Sequence, residues 1–335
     1  MSERPLGAEV PAELGSGAQA VTPAEMIQRQ QQQMVAGVAP VTAAPAGAVA
    51  DVAVMTLWGD VWRRLRRNKL AIIGSTIIIG LVLTAIFAPL IAPFDPLRQN
   101  LDLSLRGPSL RHWFGTDLLG RDYFSRIVYG ARVSITIGIV ATFVSLVIGL
   151  TMGALSGYFG GAIDAVTMRI ADVFFAFPFL VGAIIVITAL GQNFPRLLGL
   201  FIAIGIFGWA TVARLFRASI LQVKTADYVE AARALGAGHW RILTRHVLPN
   251  ALAPVIVYSM IFTGTAILTE AALSFLGLGL SVGTPAWGLM ISEGKSFMTS
   301  QPWLVLFPGV ATVLTVLGFI FLGDGLRDSM DPRLR

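Results

Sequence analysis

Cysteine is missing from all 335 residues, which excludes disulfides and thiolate metal sites. Charge is scarce as well. Asp, Glu, Lys and Arg make up 13% of the chain, against about 25% in ordinary soluble domains. The three histidines, His112, His239 and His246, lie outside the long apolar segments, so no intramembrane Ser–His dyad is available to Ser156. Neither a His-Glu-x-x-His pair nor an EF-hand spacing occurs, which leaves no argument for a metal. Gly294-Lys295-Ser296 looks like the end of a phosphate loop, but that motif needs glycine at 289, where Leu289 stands. The chain is therefore expected not to be an enzyme and to hold no metal or cofactor itself. An apolar run behind a basic start is also lacking at the amino terminus, so no cleavable signal peptide is expected, and the first membrane helix would direct insertion.

What is present is apolar. Hydrophobic residues make up 55% of the chain and the mean hydropathy is +0.73. This composition predicts an all-α membrane protein. The formal net charge of +6 is scattered between apolar spans, which fits positive-inside arginines and anionic lipid rather than nucleic acid. Residues 1–54, with Gln30 to Gln33 in a row, read as a disordered cytoplasmic tail. Residues 55–69 place Trp58, Val61, Trp62 and Leu65 at helical spacing among Arg63, Arg64, Arg66, Arg67 and Lys69, the pattern of a basic amphipathic helix at the membrane surface. Six spans are expected, at 70–93, 132–156, 165–190, 197–216, 251–275 and 303–323. The core runs over 132–325, with a short cytoplasmic tail at 326–335. The basic cluster before the first span sets both termini, with Arg327, Arg333 and Arg335, inside. One segment conflicts with this. Residues 94–131 are then extracytoplasmic, yet carry Arg98, Arg106, Arg111, Arg121 and Arg126.

The most distinctive stretch is polar and basic, from Tyr228 to Asn250, within a loop at 220–250. A helix is expected over 225–235 with Thr225 as its N-cap. Gly236 and Gly238 break it, and a second helix from His239 runs through Leu248-Pro249 into the fifth span. Glu230, Arg233 and Arg241 then offer polar contacts at the rim of a helix–turn–helix on the inner face.

Glu230-Ala231-Ala232, Gly236 and Leu248-Pro249 have the spacing of the EAA loop of ABC importer permeases. Further segments sharpen the resemblance: Phe114-Gly115-Thr116-Asp117 with Gly120-Arg121-Asp122, Tyr129-Gly130-Ala131-Arg132, Gly157-Tyr158-Phe159-Gly160-Gly161, Glu270 to Gly277, Pro285-Ala286-Trp287-Gly288, and Gly323 to Asp328. Over most of 58–335 the chain resembles the C-type inner-membrane permeases of dipeptide and oligopeptide ABC importers, a branch of the binding-protein-dependent transport permeases. Arg245-His246 is similar to that peptide branch. The resemblance implies a six-helix type I importer fold in the bacterial cytoplasmic membrane. It implies a B-type permease as heterodimer partner, an extracytoplasmic peptide-binding protein, and two ABC ATPase domains that bind ATP and Mg and engage Glu230, Ala231, Ala232, Arg233, Gly236, Arg241, Leu248 and Pro249.

Other candidates come from the residues themselves. Gly149, Gly153 and Gly157, at spacings of four, suit close helix packing, either between two permeases or within the chain. Asp164, Arg169 and Asp172 stand at the inner end of the third span, and the last two are spaced to pair on one helix face. Phe174, Phe177 and Pro178 follow, where a proline kink and aromatic side chains suit either a peptide pathway or packing. Glu270 is an acid deep in the fifth span, a gate or a structural hydrogen-bonding group. Rival readings are the same machinery for nickel chelates, glutathione or oligosaccharides, a secondary transporter, which would call for inverted repeats that are not found, and a non-transporting membrane scaffold.

Overall fold

The computed structural model describes residues 57–191 and 193–330; the tail assigned to 1–54, the side chain of Trp58, and Arg333 and Arg335 lie outside the described residues. Helix α1 (Leu57–Leu65) carries Arg63 and Arg64, while Arg66 and Arg67 lie in a turn and Lys69 opens the next helix, so the basic helix expected to reach 69 stops at Leu65. Helix α2 (Lys69–Ile86) starts at Asn68, whose side chain accepts from the amides of Leu70 and Ala71 at 2.9 and 3.2 Å. It gives way to the short α3 (Ala88–Ile91), with a proline in its first turn. Arg132 reaches back to the carbonyl oxygens of Ala85 and Ile86 and satisfies the end of α2.

Helix α4 (Tyr123–Phe159) is 37 residues long. It begins nine residues earlier than the sequence pattern indicates, because Asp122 caps it, accepting from the amide of Ser125 at 2.8 Å and from its hydroxyl at 2.7 Å. Residues 123–131 thus belong to the long helix and not to a loop. Helices α5 (Gly161–Phe175) and α6 (Phe179–Leu190) replace the expected third span, bent by 92° at Ala176–Pro178. Pro178 has no amide to continue the helix and disfavours helical geometry in the residue before it. Helices α7 (Arg196–Val223), α8 (Asp227–Ala234) and α9 (His239–Ile242) follow. A π-helical turn at Leu243–Val247 leads through α10 (Leu248–Ala251) into α11 (Ala253–Phe275). Helix α12 (Trp287–Gly294) precedes α13 (Trp303–Met330), which extends seven residues past the expected end of the sixth span and into the segment read as a tail.

Among the described residues there is no strand, only an isolated bridge between Thr116 and Asp122. Five helices are long and apolar enough to cross a membrane, six if the bent pair counts as one span. The most extensive seam joins α4 to α7. A β-carbon on Gly149 would meet Val212 at 2.5 Å, one on Gly153 the carbonyl oxygen of Ala213 at 2.7 Å, and one on Gly157 Ile220 at 3.0 Å. The glycine row therefore packs within the chain. Small residues are what allow backbones this close where lipid removes the hydrophobic drive between helices.

Candidate coupling site

One end of the bundle carries a knob built from α8, α9 and the π-turn. Its base is apolar: Val229, Ile242, Leu243 and Val247 are buried against Phe216 and Ile220 of α7 and Val255 of α11. The first helix starts at Ala226 rather than on a side-chain cap. The hydroxyl of the expected cap, Thr225, donates instead to the carbonyl of Gln222 at 3.0 Å. The helix stops at Gly236, whose φ of +80° is a left-handed conformation open to glycine. The amide of Gly236 donates to Arg233 O at 3.0 Å and that of Ala237 to Ala232 O at 3.1 Å. These two bonds satisfy the last carbonyls of the helix in the Schellman arrangement. Gly238 then opens α9.

On this base the predicted residues take distinct positions. Glu230, Ala231, Arg233, Gly236 and Arg241 are exposed, Ala232 and Leu248 are half-buried, and Pro249 is exposed at the turn into α11. Leu248 packs against the knob's base cluster. Among the described residues Glu230, Arg233 and Arg241 make no ion pair. Three apolar residues that sequence reasoning passed over stand out beside them: Tyr228, Leu235 at 88% exposure and Trp240 at 75%. The available signal was large apolar side chains inside a polar stretch. Under the knob, a cleft of about 340 Å³ lies between Tyr158, Lys224, Glu230, Arg233 and His239. The hydroxyl of Tyr158 donates to the carbonyl of His239 at 3.1 Å, and Lys224 Nζ donates to Gly157 O at 3.0 Å. These bonds tie the knob and the end of α7 to the end of α4. The arrangement is a rigid, partly apolar projection.

The candidates in the spans divide. Phe174 packs edge-on against Phe207 and Trp209, at 5.3 and 5.4 Å between ring centres, and so is held inside the chain. Phe177 and Pro178 are exposed at the bend. Glu270 is fully buried, accepting from the hydroxyl of Ser274 at 2.7 Å, with its second oxygen unpartnered. It lines no open surface of this chain. Asp164 joins Arg217 of α7 at 2.5 Å and accepts from Ser156. Asp172 does not pair with Arg169 as its spacing suggests. It binds Arg214 of α7 at 2.6 Å, because α7 crosses close enough to offer a guanidinium across the helix interface.

Residues 145–335 match the model of the binding-protein-dependent transport system inner membrane component family, and residues 56–108 match the N-terminal transmembrane domain of oligopeptide transport permease C. The chain belongs to this permease family. The permease is 45% identical to the dipeptide transport system permease protein DppC of Alkalihalophilus pseudofirmus, over 83% of this chain and 90% of that one. It is 43% identical to the oligopeptide transport system permease protein OppC of Bacillus subtilis, over 84% and 91%. It is also 43% identical to a glutathione transport system permease protein GsiD of Escherichia coli, over 84% and 92%. Its fold is similar to that in inward-facing structures of the MetNI methionine ABC transporter, with a TM-score of 0.50 at 22% identity over 61% of this chain and 96% of that one. The permease is thus a non-catalytic membrane subunit of an ABC importer, with the type I fold, in a family whose members work with ATPase and substrate-binding components.

Proposed function

We propose that this permease imports di- or oligopeptides across the bacterial cytoplasmic membrane, with both termini and the knob in the cytoplasm. A B-type permease completes the pathway, and an extracytoplasmic binding protein delivers the peptide. Two ATPase domains, which bind ATP and Mg, push on the knobs. Peptide cargo is supported by relatives whose names are dipeptide and oligopeptide permeases. The glutathione permeases among the relatives favour one second reading, a short peptide with an unusual linkage, on the same machinery.

The observation that carries the coupling role is the contrast between the knob's buried base and its exposed apolar tip at Leu235 and Trp240. A base locked to α7 and α11 transmits force to the spans, and an apolar tip with charges at its rim suits a groove in a soluble partner. Gly236 supplies the test. A β-carbon there meets nothing within 4 Å, so a large side chain would project away from this chain. In the reconstituted importer, Gly236→Trp is expected to abolish ATP-driven uptake while insertion and permease assembly persist. Gly236→Ala carries the same backbone strain without the bulk and is expected to retain most uptake. Uptake by the Trp variant at the native rate would sink the coupling assignment.

A further inference from the structure

Three cations at the corner between α1 and α2 find no counter-charge among the described residues. Between Asp60 and Asp95 the chain has no acidic residue, yet Arg63, Arg64, Arg66, Arg67 and Lys69 crowd into 63–69. Arg66, Arg67 and Lys69 are exposed and make no side-chain hydrogen bond or ion pair among the described residues. The guanidinium of Arg66 lies over the ring of Trp62 at 4.6 Å, and Trp62 is itself 55% exposed.

The level of this corner follows from the length of α2. With 18 residues the helix is about 27 Å long. That is close to a hydrocarbon core of about 30 Å, so its two ends lie at the two membrane surfaces. One side of α2 is closed by α13, where a β-carbon on Gly74 would meet the amide of Leu322 at 2.6 Å. The other side leaves Ile72, Ile73, Ile79 and Leu83 exposed, an apolar face for acyl chains. Lys69 lies one turn before Ile73 on the same face, so the charged surface runs on into the apolar one. That continuity favours a lipid over a soluble partner. The side chain of Asn68, whose oxygen caps α2, also donates through Nδ2 to Asp328 of α13 at 3.0 Å. The neighbouring Arg327 shares a cleft with Ala253, Pro254 and Leu215, and Leu215 packs on the base of the knob. The corner therefore stands at the knob's end of the bundle.

We infer that Trp62, Arg66, Arg67 and Lys69 form a docking surface for anionic phospholipid headgroups in the leaflet on the knob's side. The guanidinium forks match a phosphate bidentately, Lys69 adds a point charge, and the indole of Trp62 sits at the level where such rings are favoured. The chains of the docked lipid lie along Ile72 and Ile73. Through the bond from Asn68 to Asp328, the lipid steadies the end of α13.

The chain has no native cysteine, so Ile73→Cys carries a single bimane label beside the corner and leaves its charges intact. The full-length permease is reconstituted in phosphatidylcholine vesicles. The quencher is phosphatidylglycerol or phosphatidylcholine with a nitroxide on the acyl chain. At low ionic strength phosphatidylglycerol is expected to show about tenfold higher apparent affinity at the label, a difference of about 1.4 kcal/mol. Combining Arg66→Gln, Arg67→Gln and Lys69→Gln should remove the preference, while Arg66→Lys with Arg67→Lys should keep most of it. A label at Leu83→Cys, toward the other end of α2, should show little preference. Equal quenching by the two lipids at 73, or an equal preference at 83, overturns the inference. So does a preference that survives the glutamine substitutions in a variant of unchanged melting temperature. Absence of quenching by either lipid at 73 would show a protein chain covering this face, and overturns it as well.

Discussion

The knob at 225–250 and the opposite end of the bundle are both rich in charge, and they treat it in opposite ways. At the opposite end, Asp117 accepts from Arg121 Nε at 2.6 Å and also from Arg126. Arg126, fully buried, reaches Glu293 of α12 at 3.0 Å. His112 and Asp122 meet at 2.8 Å close by. These charges serve one another and fasten the 94–122 segment to α4 and α12. In the knob, Glu230, Arg233 and Arg241 are exposed and make no ion pair among the described residues, and the buried contacts are apolar. The same residue types therefore do structural work at one end and are left exposed at the other. The comparison also bears on the conflict over 94–131. Two of the arginines counted there, Arg121 and Arg126, are paired with acids inside the fold and are weak guides to orientation.

Removing one side chain at each end should test this contrast most clearly. Arg126→Ala leaves the buried Asp117 and the half-buried Glu293 with less compensation, and the loss of one partner of a buried pair costs about 3–5 kcal/mol. The purified permease is expected to melt at a lower temperature, and protease should reach the 94–122 segment. An unchanged melting temperature would mean that the buried pair is not what holds that end. The next largest effect belongs to the knob and should leave stability alone. Trp240→Ala removes an exposed apolar side chain, so the melting temperature should hold, while affinity for the ATPase falls by about 2 kcal/mol if the tip is a hot spot. Titration of the ATPase onto permease in nanodiscs measures this. A fall in stability without a fall in affinity would place Trp240 with the structural residues instead.

The sequence made the spans and the knob legible because both rest on local signals. Apolar runs of about twenty residues have few other readings, and Gly236 with Gly238 marks a helix stop that local bonding then realises. What stayed hidden depends on contacts distant in sequence. Arg169 and Asp172 have the spacing of a helix-face pair, yet Asp172 turns to Arg214, 42 residues away, because α7 packs alongside. Phe174 carries no mark that separates a pathway wall from a packed ring; its contacts with Phe207 and Trp209 come from α7, distant in sequence. Segments quoted for their resemblance prove largely architectural. Gly130 makes room for Trp287, whose ring nitrogen donates to Ile127 O at 3.0 Å, and Gly288 lies against Ala271. The apolar tip of the knob was missed for a related reason. A leucine or tryptophan in a short helix normally signals the buried face, and only the fold shows that Val229, Ile242 and Leu243 already occupy it.

The smallest expected effect sharpens the comparison furthest. Arg241 is exposed at the knob's rim and makes no ion pair among the described residues, so Arg241→Ala should leave the fold unchanged. Against a docked ATPase it is a peripheral charge, and such charges contribute about 0–1 kcal/mol. Their weight falls on the rate of encounter and on its dependence on salt rather than on the lifetime of the complex. Stopped-flow association of the ATPase should therefore slow severalfold at low ionic strength and converge with the unaltered permease at high salt, where the Debye length shrinks to about 3 Å at 1 M. Dissociation should stay the same at both. A variant that dissociates faster at every salt concentration would show Arg241 to be bonded within the docked surface. The knob would then hold its partner by buried charge, as the opposite end holds itself.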